Sequence, residues 1–187
     1  MDAFSYLSVL LSIIIGLAIT QVLQGYRGLL LARGRVTLHA PTLIWSALLL
    51  VFAAQSWWAS FGLIDHQQWS FLSFGVILLQ TVLLYMMAAL VLPDTPAGEP
   101  IDLKAHYDRE ARPFFGISIA MLVVSLLKDL MIDGRLPEAA NIGFHLAFGT
   151  LALAGMFIRR PRFHLFIALT MVAFIVAYIA LLFANLR

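Results

Sequence analysis

Cysteine is absent from this 187-residue chain, which removes disulfides, thiolate nucleophiles and cysteine-ligated metals from consideration. Charge is scarce too. Asp, Glu, Lys and Arg make up 12% of the residues and hydrophobic residues 62%, against about 25% and 45–50% in soluble domains. The formal net charge of +2 offers no basic surface for nucleic acid. The chain also lacks a G-x-S-x-G elbow, an H-E-x-x-H pair, a Walker loop and a G-x-G-x-x-G turn, so no catalytic residue, metal or cofactor is assigned. No Asp, Glu, Lys or Arg stands near the middle of an apolar run, although proton-coupled transport usually uses a central carboxylate.

What the chain does have is long apolar runs. A hydrocarbon core about 30 Å thick takes roughly 20 residues of helix. Six segments of that kind lie near 4–24, 42–63, 69–92, 113–132, 139–158 and 163–186. The breaks between them are polar or carry proline and glycine, as in RGRVTLHAP, PDTPAGEP, DGRLPE and RRPR. The expected fold is therefore all-α: one compact six-helix transmembrane domain over 1–187, with halves 1–93 and 113–187 joined by a cytoplasmic linker, 94–112. No basic region precedes the first apolar run, so that run is expected to stay as a helix rather than be cleaved.

Lys and Arg set the expected orientation, because cytoplasmic loops keep positive charge. Arg27, Arg33 and Arg35 follow span 1, Lys104, Arg109 and Arg112 precede span 4, and Arg159, Arg160 and Arg162 separate spans 5 and 6. These are nine of the twelve basic residues, and Lys128, Arg135 and Arg187 fall at the other end. Both termini are thus expected outside a plasma membrane, the inner membrane if the source is bacterial.

Helices in lipid associate through small side chains that let backbones approach. Stripes of that kind recur: Ser5, Ser8, Ser12, Gly16 and Thr20 on span 1, Gly143, Ala147, Thr150 and Ala154 on span 5, and Thr170, Ala173, Ala177, Ala180 and Ala184 on span 6. They read as packing faces, with enough small surface left for a second copy or another membrane protein. Gln80, near the middle of span 3, reads as an interhelical hydrogen-bonding group of the same kind.

The remaining polar groups gather toward the outer half. Gln55, Lys128, Asp129 and His145 are candidates for an outward-opening pocket roofed by Trp57 or Trp58. The same tryptophans, with Trp69, equally suit an aromatic belt at the interface. On the inner side Asp102, His106 and Glu110 recur at i+4, a ligand row that more often belongs to a solvated helix carrying ion pairs. Leu103 and Tyr107 give that segment an apolar edge for the bilayer or a partner.

Three functions follow, in order. The first is a non-enzymatic bundle assembling with itself or a membrane partner in the lipid bilayer. The second is a small transporter or channel protomer with an outward-facing polar pocket. The third is an enzyme acting on a lipid or quinone, with His145 as base and Asp129 as its partner.

Overall fold

A computed structural model describes residues 3–64, 69–178 and 180. Among them are six helices long and apolar enough to cross a membrane: α1 (Ala3–Leu31), α2 (Ala40–Ala59), α3 (Phe71–Val91), α4 (Leu103–Ile132), α5 (Ala139–Phe157) and α6 (Pro161–Tyr178). Each helix packs against the next in the order α1, α3, α4, α5, α6, α2 and back to α1, so the six close into a ring. Ala3, Leu63, Phe71, Ile132, Ala139 and Tyr178 mark one end, called the terminal end below. The opposite, arginine-rich end holds the three basic groups.

Helix starts are written locally. Ser70 and Ser73 form a reciprocal capping box at α3, each side chain bonding the other's backbone N–H at 3.0 Å. Pro41 stands in the first turn of α2, where an N–H would have no partner. Gly134 takes φ +67° in the short α4–α5 turn, a conformation that suits glycine.

Two boundaries differ from expectation. Helix α1 continues past Gln24 to Leu31, because Val22, Leu29 and Ala32 are buried and two glycines let the end of α3 come close. A Cβ on Gly25 would stand 2.6 Å from Leu92 Cδ1, and one on Gly28 would collide with the Thr95 side chain. Helix α4 begins at Leu103, ten residues before the expected start of span 4. Asp102 Oδ1 accepts from Lys104 N at 2.8 Å and Ala105 N at 3.1 Å, a side-chain cap. Leu103, His106 and Tyr107 then turn inward, so their apolar edge is spent within the chain and not on a bilayer or partner. Only the first part of the 94–112 segment is a connection. Its end, Ile101–Asp102 (β2), pairs in parallel with Val36–Thr37 (β1), and Arg35 Nη1 donates to Glu99 O.

The core sits toward the arginine-rich end. Trp45 of α2 reaches into the ring and meets the edges of Phe114 and Phe115 at 5.3 and 5.5 Å. Around them Leu49, Leu84, Met87, Ile167, Ala168 and Met171 are almost fully buried. Outward faces are equally apolar: Leu17, Val123, Leu146, Phe166 and Val176 are each at least half exposed. The outward hydroxyls of Thr20 and Thr150 bond the carbonyls of Gly16 and Leu146 in their own helices, at 2.7 and 2.8 Å.

The small-residue stripes turn toward the ring only in part: Ser5, Ser8, Gly16, Ala147, Ala154 and Thr170 are half-buried. Ser12, Thr20, Gly143, Thr150, Ala173 and Ala180 face outward and Ala177 is half-buried, while Ala184 lies outside the described residues. The inward face of α6 is His164, Ile167, Ala168, Met171 and Ile175, whose larger side chains fill the ring. Close approach comes instead from single glycines, among them Gly155 against the Phe115 ring. Of the polar links between helices, Gln21 Nε2 donates to Tyr85 Oη at 3.1 Å and Tyr26 Oη lies 2.8 Å from Ser46 Oγ.

Candidate functional site

Above the core, toward the terminal end, the ring does not fill. A partly open pocket of about 190 Å³ remains, and all six helices line it. Each helix contributes one face at helical spacing: Leu11 and Ile15 from α1, Phe52, Gln55, Ser56 and Ala59 from α2, Ile77, Gln80 and Thr81 from α3. Met121, Leu122, Ser125 and Lys128 come from α4, Phe144, His145 and Phe148 from α5, and Phe174, Ile175 and Tyr178 from α6. Ser60 and Leu63, in the 3-10 turn Ser60–Leu63, stand beside them. The walls are thus mainly apolar and aromatic, with Phe52 edge-on to Phe148 at 5.7 Å and Phe144 edge-on to Tyr178 at 5.3 Å.

Several polar groups in the walls are committed to the protein. Thr81 and Ser60 donate to Leu78 O and Trp57 O at 2.8 and 2.6 Å. Lys128 Nζ pairs with Asp129 at 3.1 Å, the two side chains 27% and 15% exposed, so the ammonium is neutralised by its neighbour on the helix. His145 Nδ1 lies 2.9 Å from Asn141 O. A carbonyl only accepts, so Nδ1 carries the hydrogen and Nε2 of the neutral ring keeps its lone pair. In contrast, the carboxamides of Gln55 and Gln80 and the hydroxyls of Ser56 and Ser125 make no side-chain hydrogen bond among the described residues.

The structure therefore brings Gln55, Lys128 and His145 to one pocket and adds Gln80, which does not link helices here. Trp58 is not part of it. Trp57 and Trp58 point outward, 45% and 37% exposed, and pack on Phe61 instead of roofing the cavity. Asp129 stands beside the pocket, and its partner is Lys128, not His145. The base-and-carboxylate dyad of the enzyme reading is thus not formed. Sequence reading missed the aromatic wall; the i, i+4 pair Phe144 and Phe148 beside His145 was the available signal.

At the arginine-rich end a second polar group surrounds Tyr107. Its hydroxyl lies 3.0 Å from His164 Nδ1, and His39 is tilted against its ring at 5.1 Å. Thr42 donates to Leu103 O at 3.2 Å, so His39 Nδ1–H must donate to Thr42 Oγ1 at 3.0 Å. Burial pushes His39 below its ordinary value of 6.5, with Lys104 and His164 lowering it further and Asp108 and Asp102 opposing. In the former ligand row, Asp102 is spent on the cap and His106 Nε2 donates to Leu90 O at 2.9 Å. No group of three or more His, Asp or Glu among the described residues is placed to hold a metal. The i, i+4 ion pair Lys104–Asp108 spans 2.6 Å on the exposed side.

The chain matches no protein-family model, no curated protein and no solved structure.

Proposed function

We propose that this protein is a membrane-embedded binding protein whose six-helix ring receives a small, largely apolar molecule at its terminal end. The observation that carries the reading is the pocket of about 190 Å³ lined by every helix, since apolar pockets with a few convergent polar groups are the usual form of small-ligand sites. A ring held together only for rigidity would close over such a space, because unfilled volume forfeits packing. The bilayer supplies the ligand, and the nine basic residues at the opposite end favour an orientation with that end cytoplasmic and the pocket in the outer leaflet of a plasma membrane. Below the pocket Leu49, Leu84, Met87, Phe115 and Met171 are buried to 2% exposure or less. That layer favours a site entered from one side over a continuous pore.

An apolar aryl azide, photolysed with the protein in nanodiscs, tests the reading. Labelled peptides should include Met121, Phe148 or His145, and Ser125→Phe, which fills the pocket, should abolish that labelling. Labelling confined to outward residues such as Val123 and Phe166 would refute it. Orientation is read separately in this cysteine-free chain: a single cysteine at Gly62 should react from outside and one at Arg160 should not. Labelling only at Arg160 would invert the assignment.

A second reading, self-association, has one observation in its favour: the α5 and α6 small-residue stripes turn toward the exterior at Gly143, Thr150, Ala173 and Ala180. A dimer mass in mild detergent that reverts to monomer with Ala173→Leu would support it, and a strictly monomeric mass would remove it.

A further inference from the structure

The pocket's chemistry narrows the ligand, on the footing that it is a binding site at all. Its size decides first. An apolar cavity of roughly 150 Å³ takes benzene, so about 190 Å³ holds one substituted ring, with any tail leaving through the open side. The walls agree, because Phe52, Phe148, Phe144 and Tyr178 present ring edges and faces that favour a flat aromatic or conjugated guest.

Charge decides next. No carboxylate lines the pocket among the described residues, and its one cation, Lys128, is already paired with Asp129. An anionic guest would have to compete with that carboxylate, and a cationic one finds no counter-ion. A neutral molecule meets neither obstacle.

Hydrogen bonding decides last. Gln55 on α2 and Gln80 on α3 bring two N–H groups each, unused within the described residues, and Ser125 adds a hydroxyl. Gln80 stands roughly 13 Å along α3 from Phe71, at the 1.5 Å rise of a helix, and so addresses a guest deep in the bundle. Acceptors are present as well, in the two amide oxygens, the hydroxyl oxygens of Ser56 and Ser125 and the Nε2 lone pair of His145. The four amide N–H groups of Gln55 and Gln80 are, among the described residues, unused donors on two helices, and they suit a guest that carries acceptor oxygens. We propose that the pocket binds the ring of a neutral, carbonyl-bearing membrane molecule, of the quinone class, with Gln55 and Gln80 donating to its carbonyl oxygens. The proposal is of binding alone and requires no redox step.

Duroquinone and durene test it, since both are tetramethylated six-membered rings and only the first carries carbonyls. Equilibrium binding of each to the protein in nanodiscs would be measured beside the Ser125→Phe variant, which corrects for partitioning into lipid. Duroquinone should bind more tightly than durene, and Gln55→Leu and Gln80→Leu should each narrow the difference by roughly two- to tenfold, the worth of one hydrogen bond. Durene binding should be unchanged in both variants, which also establishes that they are folded. Equal binding of the two rings would leave the pocket reading standing and overturn the carbonyl assignment. Stronger binding of tetramethylbenzoate, lost in Lys128→Met, would replace it with an anionic ligand. If neither ring bound above the Ser125→Phe background, the pocket reading would fall as well.

Discussion

Replacing Gly155 with alanine adds a methyl group where the structure leaves no room. Its Cβ would stand 2.7, 2.9 and 3.0 Å from Cε2, Cζ and Cδ2 of the Phe115 ring, where carbon atoms prefer about 3.5–4.0 Å. The ring cannot swing aside. Phe115 is fully buried, held edge-on by Trp45 and Phe114 at 5.5 Å each and stacked on His164 at 6.1 Å. Helix α5 must therefore retreat from α4 and surrender the close approach that joins them. An added methyl in a filled interior costs about 1–3 kcal/mol. Titrating the detergent-solubilised protein with dodecyl sulfate, with helicity as the signal, should show a loss of that size. Phe115→Leu removes the ring atoms that collide, so the double variant should lose less than the two singles together, by about 0.5–3 kcal/mol. A Gly155→Ala protein as stable as the original, or a strictly additive double variant, would refute the packing argument.

Other consequences can be checked in the same preparation. Gly28→Ala should open the arginine-rich end, because its Cβ meets the Thr95 side chain; proteolysis near 94–100 should accelerate, and unchanged cleavage would contradict it. Gln21→Leu should cost about 0.6–2 kcal/mol, the range for an interhelical hydrogen bond in a membrane, and Tyr85→Phe should add little to it, since the two share one bond. Asp102→Ala removes the cap of α4 and should cost about 0.5–2 kcal/mol, with faster amide exchange at Lys104 and Ala105. The lowered value of His39, caused first by burial, makes the folded protein bind protons less readily than the unfolded chain. Its stabilising effect is present above pH 6.5 and is lost as pH falls below it toward the folded value. His39→Gln should flatten that part of the stability profile, and an unaltered slope would place the titration elsewhere.

The helical class and the number of long apolar segments were legible because hydropathy and length act locally, and the backbone in lipid must bond within its own segment. Helix starts were partly legible. Asp102 is a good cap by residue type and the stretch to Arg112 reads as a solvated helix, but its charge set it apart from span 4, with which it is continuous, since charge marks a membrane boundary and not a helix boundary. Which face turns inward was not legible. On α1 and α6 the small residues and the large apolar ones both recur at three and four positions, and only the neighbours decide that Met171 and Ile175 fill the ring while Ala173 looks out. The site was half legible for the same reason. Gln55, Lys128 and His145 stood out as polar groups at matched depth, but a side chain's partner is a matter of angle. Asp129 is one residue from Lys128 and flanks the pocket instead of lining it, and Trp58 points about 100° away from its neighbour without reaching the cavity. Gln80, by its central depth, was the amide expected to link helices; the position of Tyr85 made Gln21 the link and left Gln80 facing the pocket.

The central claim is that the unfilled space within the ring holds a small molecule. It is tested most directly by native mass spectrometry of the protein released from membranes in mild detergent, compared with Ser125→Phe and with Leu130→Phe as an outward-facing control. The account predicts a discrete, non-protein mass retained by the original chain and by Leu130→Phe and absent from Ser125→Phe. A bare chain, or an adduct retained equally by all three, would contradict it.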